Sequence, residues 1–130
     1  TIGNCGKATA FTGLDQQGRF CGGVIAPGLE TQLAALLGAT ARLPKTKLGP
    51  VTKARSRSTQ AAIRAGVILN FQGGIREILQ RLREESRGAP RVILTGGYAS
   101  YLKGAALGRV ELRPLLVFEG LHIIGRHGLR

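Results

Sequence analysis

The sequence predicts a mixed α/β domain. Three observations carry that reading: two runs rich in aromatic and β-branched residues flanking a polar turn at Asp15–Gly18, apolar residues at helical spacing from Ser58 to Ser86, and a short apolar run, Val92-Ile93-Leu94, that ends in a glycine pair. Length and composition agree with one domain, or with one half of a two-domain protein. The chain has 130 residues, and 43% of them are hydrophobic, which supplies a core and excludes a disordered chain or a charged tail. Glycine reaches 20 without a three-residue period, so a collagen-like chain is excluded as well. No apolar run approaches the roughly 18 residues of a membrane span. The first residues, with Lys7 and Thr9 among Gly and Ala, do not form a signal peptide. The expectation is a soluble, cytoplasmic protein with no membrane partner.

Taken in order, Ala8 to Leu14 read as a strand, Asp15-Gln16-Gln17-Gly18 as a turn, and Arg19 to Ala26 as a second strand. This hairpin sets Thr12 near Cys21 and leaves Cys5 beyond the pair, which argues against a Cys5–Cys21 disulfide. Pro27-Gly28 ends the strand, and a helix follows with Leu29, Leu33, Leu36 and Leu37 on one face. Pro44 to Pro50 is a loop. The longest helix runs from about Ser58 to Ser86, with Ala62, Ile63, Val67, Phe71, Ile75, Ile78, Leu79 and Leu82 at core spacing. Gly73-Gly74 inside it costs roughly 1 kcal/mol per glycine, so a break, a bend or a close helix contact is expected there. Gly88-Ala89-Pro90 stops the helix, Arg91 to Thr95 is a buried strand, and Tyr98 to Lys103 is helical. Extended chain from Val110 to Pro114 leads into a terminal helix from Phe118 that presents Leu121, Ile123 and Ile124. The order β-β-α-α-β-α-α is not a series of βαβ units. It reads as one lobe of a larger nucleotide-binding fold.

The net charge of +12 invites a nucleic-acid partner. No acid lies between Glu30 and Glu77, a stretch that holds Arg42, Lys45, Lys47, Lys53, Arg55, Arg57, Arg64 and Arg76, and Arg126 and Arg130 add a basic tip. Stacking rings are missing, because no aromatic residue falls between Phe20 and Phe71. No zinc spacing or helix-turn-helix signature accompanies the stripe. The charge therefore reads as a solvated basic face, with nucleic acid the third choice of partner.

Two segments are suited to phosphate or nucleotide. In Gly3-Asn4-Cys5-Gly6-Lys7-Ala8-Thr9, small residues leave backbone N–H groups accessible, Thr9 adds a hydroxyl and Lys7 a point charge. The spaced glycines and following helix of a P-loop are missing, so by itself the segment reads as a tight turn before a strand. In Leu94-Thr95-Gly96-Gly97, two glycines after a strand let a planar ring or a ribose approach the backbone. Catalytic constellations are lacking: Asp15 sits in a turn, Glu30 starts a helix, and His122 and His127 have no carboxylate or thiol at useful spacing.

Read together, these segments resemble the C-terminal half of the type III pantothenate kinases, of the actin-like, hexokinase-like phosphotransferase superfamily. Cys5-Gly6-Lys7-Ala8-Thr9-Ala10-Phe11 resembles the family's second phosphate motif, and Gly22-Gly23-Val24-Ile25-Ala26-Pro27-Gly28 its G-G-x-I-x-P-G segment. Thr40-Ala41-Arg42-Leu43-Pro44 follows at the usual place. Val92 to Gly97 resembles the V-I-x-T-G-G adenosine motif, and Phe118-Glu119-Gly120-Leu121 the closing L-E-G-L.

The resemblance implies one lobe of an actin-like ATPase, that is a ribonuclease H-like fold with a mixed sheet and flanking helices, over residues 1–130, the N-terminal lobe being absent. It implies ATP-dependent phosphorylation of pantothenate, the first step of coenzyme A synthesis, with magnesium and a monovalent cation (potassium or ammonium), in a homodimer or paired with an N-terminal-lobe chain. Gly6, Lys7 and Thr9 are then phosphate-binding, Gly96 and Gly97 adenosine-binding, and Thr59, in Arg57-Ser58-Thr59 where the family has R/K-N-T, reaches pantothenate across the dimer interface. Asn4 stands where the family has a cation-binding Asp, Lys7 replaces a phosphate-facing Thr, and Ala10 replaces another Thr. The catalytic base belongs to the N-terminal half, so no catalytic residue is expected in this chain. A fragment, a subunit and a decayed relative all remain open, and the last would be a non-catalytic binding or regulatory module.

Overall fold

The computed structural model describes residues 1–128, so Arg130 of the basic tip lies outside the described residues. Nine elements follow in order: strands β1 (Ile2–Cys5), β2 (Ala8–Leu14) and β3 (Phe20–Pro27), helices α1 (Leu29–Ala39) and α2 (Thr59–Glu85), strand β4 (Ile93–Thr95), a 3-10 turn (Ala99–Leu102), strand β5 (Glu111–Leu112), and helix α3 (Leu116–His127). The strands form one mixed sheet in the order β3-β2-β1-β4-β5. β1, β2 and β3 are antiparallel neighbours, while β1–β4 and β4–β5 are parallel. The mixed sheet with flanking helices is the fold class expected.

Strand alternation decides what each face does. Gly3, Cys5, Thr9, Phe11 and Leu94 share one face through the pairs Gly3↔Phe11, Cys5↔Thr9 and Gly3↔Leu94. A Cβ on Gly3 would stand 2.7 Å from both Leu94 and Phe11, so glycine lets those side chains close over the middle strand. This face packs with Leu29 and Leu33 of α1 and with Ile63, Val67, Phe71, Ile75 and Leu79 of α2 in a single core. On the other face Ile25, opposite Ala10, is 81% exposed.

Several expectations need correction. The middle strand of the sheet is β1, within a segment that reads as a turn by itself; only Gly6-Lys7 turns. Gly and Asn are poor strand formers, and two neighbouring strands impose the conformation. The hairpin is shifted: Thr12 faces Gly23, not Cys21, because the register slips between Thr12 and Leu14. Cys5 is buried and Cys21 exposed, and both are free thiols.

Helix α2 runs unbroken through Gly73-Gly74, with Ser58 Oγ accepting from Ala61 N at its start. Phe71 and Ile75, buried on either side of the pair, each contribute about 1.5–3 kcal/mol, which outweighs the propensity cost of roughly 1 kcal/mol per glycine. Nothing lies within 4 Å of a Cβ on Gly74, so no close helix contact explains that glycine. Ala62 is exposed, whereas Ala65 and Ile68 are buried, on a face over which the 44–58 loop crosses. Gln60 Nε2 and Arg64 Nε tie that loop down by donating to Lys45 O and Lys47 O. The helix expected at Tyr98 is one 3-10 turn, and Leu36 is exposed. Helix α3 buries no residue, and Val117, Phe118, Leu121, Ile123 and Ile124 all face solvent.

Candidate functional site

The parallel pairing of β1 with β4 brings the two glycine-bearing segments together, since Asn4 lies opposite Thr95. Gly96 follows at φ +97°, a conformation that favours glycine. A Cβ there would stand 2.7 Å from Asn4 Oδ1 and from the Cys5 backbone. Tyr98 N donates to Cys5 O at 3.0 Å and fixes the far side of the glycine pair. Gly97 is exposed, with nothing within 4 Å of a Cβ.

The start of α1 closes on the same turn. Gly28 N donates to Lys7 O at 2.8 Å, and Thr31 Oγ1 donates to the same oxygen at 2.6 Å. A Cβ on Gly28 would fall 2.1 Å from Gly6 O, so only glycine permits this approach. Helix α1 has no side-chain cap, which leaves first-turn N–H donors and the positive end of the helix dipole beside Gly6 and Lys7. Glu30, in that first turn, accepts a hydrogen bond from Tyr98 Oη. The carboxylate holds the phenol above its ordinary pKa. Gly28, Glu30 and Tyr98 were not recognised as site residues from the sequence. The only signal was position, Gly28 closing a glycine-bracketed motif and Tyr98 following the glycine pair.

Asn4, Gly6, Lys7, Gly96 and Gly97 thus gather at one end of the sheet. Thr9 does not join their exposed surface: it is fully buried on the core face opposite Cys5, and its Oγ1 has no partner. Thr59 is also apart. It opens α2, roughly 16 Å along the axis from Asn70, whose Nδ2 donates to Gln32 of α1. Thr59 is exposed beside a cavity of about 300 Å³ whose lining includes Lys53, Arg55, Arg57 and Arg64. Asn4 offers a single neutral side-chain oxygen, and among the described residues no three His, Cys, Asp or Glu side chains gather to hold a metal ion. Where a carboxylate would bring negative charge, Asn4 brings none, and Lys7 adds a fixed positive charge to the turn.

The strand order and parallel return give a ribonuclease H-like mixed sheet, here with a glycine turn packed against a helix N-terminus. The profile of the type III pantothenate kinases matches residues 2–81, and the chain belongs to that family. It is 35% identical over 119 residues to the type III pantothenate kinase of Pelobacter propionicus, covering 92% of this chain and 47% of the relative. Against that of Gluconobacter oxydans it is 38% identical over 120 residues, covering 92% and 44%. The chain therefore spans about half the length of the curated relatives it matches. A solved structure described as a Baf family transcriptional activator from Campylobacter jejuni shares the fold, with a TM-score of 0.59 and 20% identity over 97% of this chain and 57% of the other.

Proposed function

We propose that this chain is the C-terminal-type, ATP-side lobe of an enzyme that phosphorylates pantothenate, and that it works in a dimer with an N-terminal lobe supplied by a longer chain or a partner. The observation that carries the reading is the packing of Gly96 onto Asn4–Cys5, with α1 seated on Lys7 O, in a member of this family. Gly6 and Lys7 with the start of α1 would receive the phosphates, to which magnesium is bound as it arrives with ATP, and Gly96-Gly97 would receive the adenosine. Thr9 is given no phosphate contact, because its hydroxyl has no exposed surface. Thr59 would serve pantothenate, and the basic cavity beside it suits the substrate's carboxylate. Phosphoryl transfer depends on positioning both reactants, and a base for the attacking hydroxyl must come from the other lobe. No helix among the described residues is long and apolar enough to cross a membrane, and a cytoplasmic enzyme is part of the proposal.

The test is reconstitution. The chain combined with the N-terminal half should show ATP-dependent phosphorylation of pantothenate, and Thr59→Ala should raise the KM for pantothenate about tenfold while nucleotide affinity changes less than twofold. No turnover with potassium or ammonium present removes the enzyme reading, and equal loss of both affinities removes the role of Thr59. A second reading, a binding module without chemistry, is favoured by Asn4 and Lys7; nucleotide binding without turnover in the reconstituted assembly supports it.

A further inference from the structure

Three parts of the candidate site are tied in a ring, and one of the links is a single pair of side chains. The Gly6-Lys7 turn holds α1 through Lys7 O, and the end of β1 holds the glycine pair through Cys5 O. The ring closes where Tyr98 Oη donates to Glu30. Glu30 is the only acid of α1, is exposed, and stands in its first turn, where no side chain caps the free N–H groups. A carboxylate at that position is drawn to those donors and to the positive end of the dipole. Phosphate oxygens are drawn to the same donors. An untethered Glu30 would therefore fill the place that a phosphate needs and repel it by charge.

We propose that Tyr98 is a positioning residue that holds the Glu30 carboxylate off the start of α1 and keeps that helix end open to a phosphate-bearing ligand. This rests on reading the site as a nucleotide site. The geometry favours such a tether, because Tyr98 is itself anchored: its N–H is bonded to Cys5 O, and its ring lies 6.4 Å from that of Tyr101. The phenol donates a hydrogen bond and brings no cation, so it restrains the carboxylate without adding a charge to the cleft.

The experiment is a four-way comparison of ADP binding to the full chain by calorimetry: wild type, Tyr98→Phe, Glu30→Gln and the double variant. The expected result is that Tyr98→Phe weakens ADP binding about tenfold, Glu30→Gln does not weaken it, and the double variant binds like Glu30→Gln. That rescue separates tethering from support of the loop. A double variant as weak as Tyr98→Phe overturns the proposal, as does a Tyr98→Phe variant that binds ADP like the wild type while the nucleotide reading stands. A folded wild type that binds no ADP overturns the nucleotide reading, and the role of Tyr98 with it. Thermal melting of all four proteins shows whether each is folded, and since Glu30 is exposed and Tyr98→Phe leaves the half-buried ring in place the melting temperatures should agree within a few degrees.

Discussion

Thr9 and Cys5 face each other across the β1–β2 pair, and both differ from what their neighbours in sequence suggest. Thr9 lies in a segment of small and polar residues, yet its hydroxyl is buried without a partner. An unpaired buried hydroxyl costs roughly 1–3 kcal/mol, so Thr9→Val should leave the protein as stable or raise its stability by about 1 kcal/mol in urea unfolding. Nucleotide affinity should stay within twofold; a larger loss would return Thr9 to the phosphate site. Burial pushes the Cys5 thiol up to about 11, while Cys21 is exposed. A thiol reagent at pH 8 should label Cys21 alone in the native protein and both residues in denaturant. The unfolded thiol ionises near its ordinary value of 9.0 and the folded one near 11. The contribution of Cys5 to stability is therefore full below pH 9.0 and falls as pH rises from 9.0 toward 11.

At the level of elements, glycine has opposite meanings in α1 and α2. Gly28 lets the start of α1 sit on the Gly6-Lys7 turn, and Gly28→Ala puts a carbon 2.1 Å from a backbone oxygen. A loss of at least about 2 kcal/mol is expected, with α1 displaced and nucleotide affinity reduced. Gly74 is exposed within α2 and meets nothing. Gly74→Ala should stabilise by about 0.5–1 kcal/mol, because only helix propensity and the entropy of the unfolded chain change. Equal effects of the two substitutions in chemical denaturation would contradict the packing described. Most of α2 was legible in the sequence: Ser58 capped it, the apolar spacing drew its core face, and Ser86 ended it within one residue. The uninterrupted passage through Gly73-Gly74 was not, because local propensity favours a break and the burial of Phe71 and Ile75 decides otherwise.

Across the whole molecule, the sheet and α1–α2 form a closed core, while α3 and Ile25 of β3 remain uncovered. Val117, Phe118, Leu121, Ile123 and Ile124 set exposed apolar side chains along one helix, a surface suited to contact with another lobe. Leu121, at 59% exposure, contributes little to the isolated fold. Leu121→Lys should change its stability by less than about 0.5 kcal/mol and weaken assembly with the other lobe at least tenfold in sedimentation. Unchanged assembly would show that α3 is not part of that contact.

By itself the sequence determined the α/β class, the hairpin turn at Asp15–Gly18, the extent of α2, and the motif order that matches the family. Each of these is written in neighbouring residues: Asp15 Oδ1 accepts from Gln17 N and Arg19 N within one turn, and the face of α2 repeats every three or four positions. Tertiary structure alone decided that Ile2–Cys5 is the middle strand, that Gly96 rests on Asn4, that Glu30 meets Tyr98, and that Thr9 points inward. The partners in those contacts stand far apart in the chain, 68 residues in the case of Glu30 and Tyr98. Their meeting is set by the parallel return of β4 beside β1 and by the sheet's alternation, and no local pattern of residues records either.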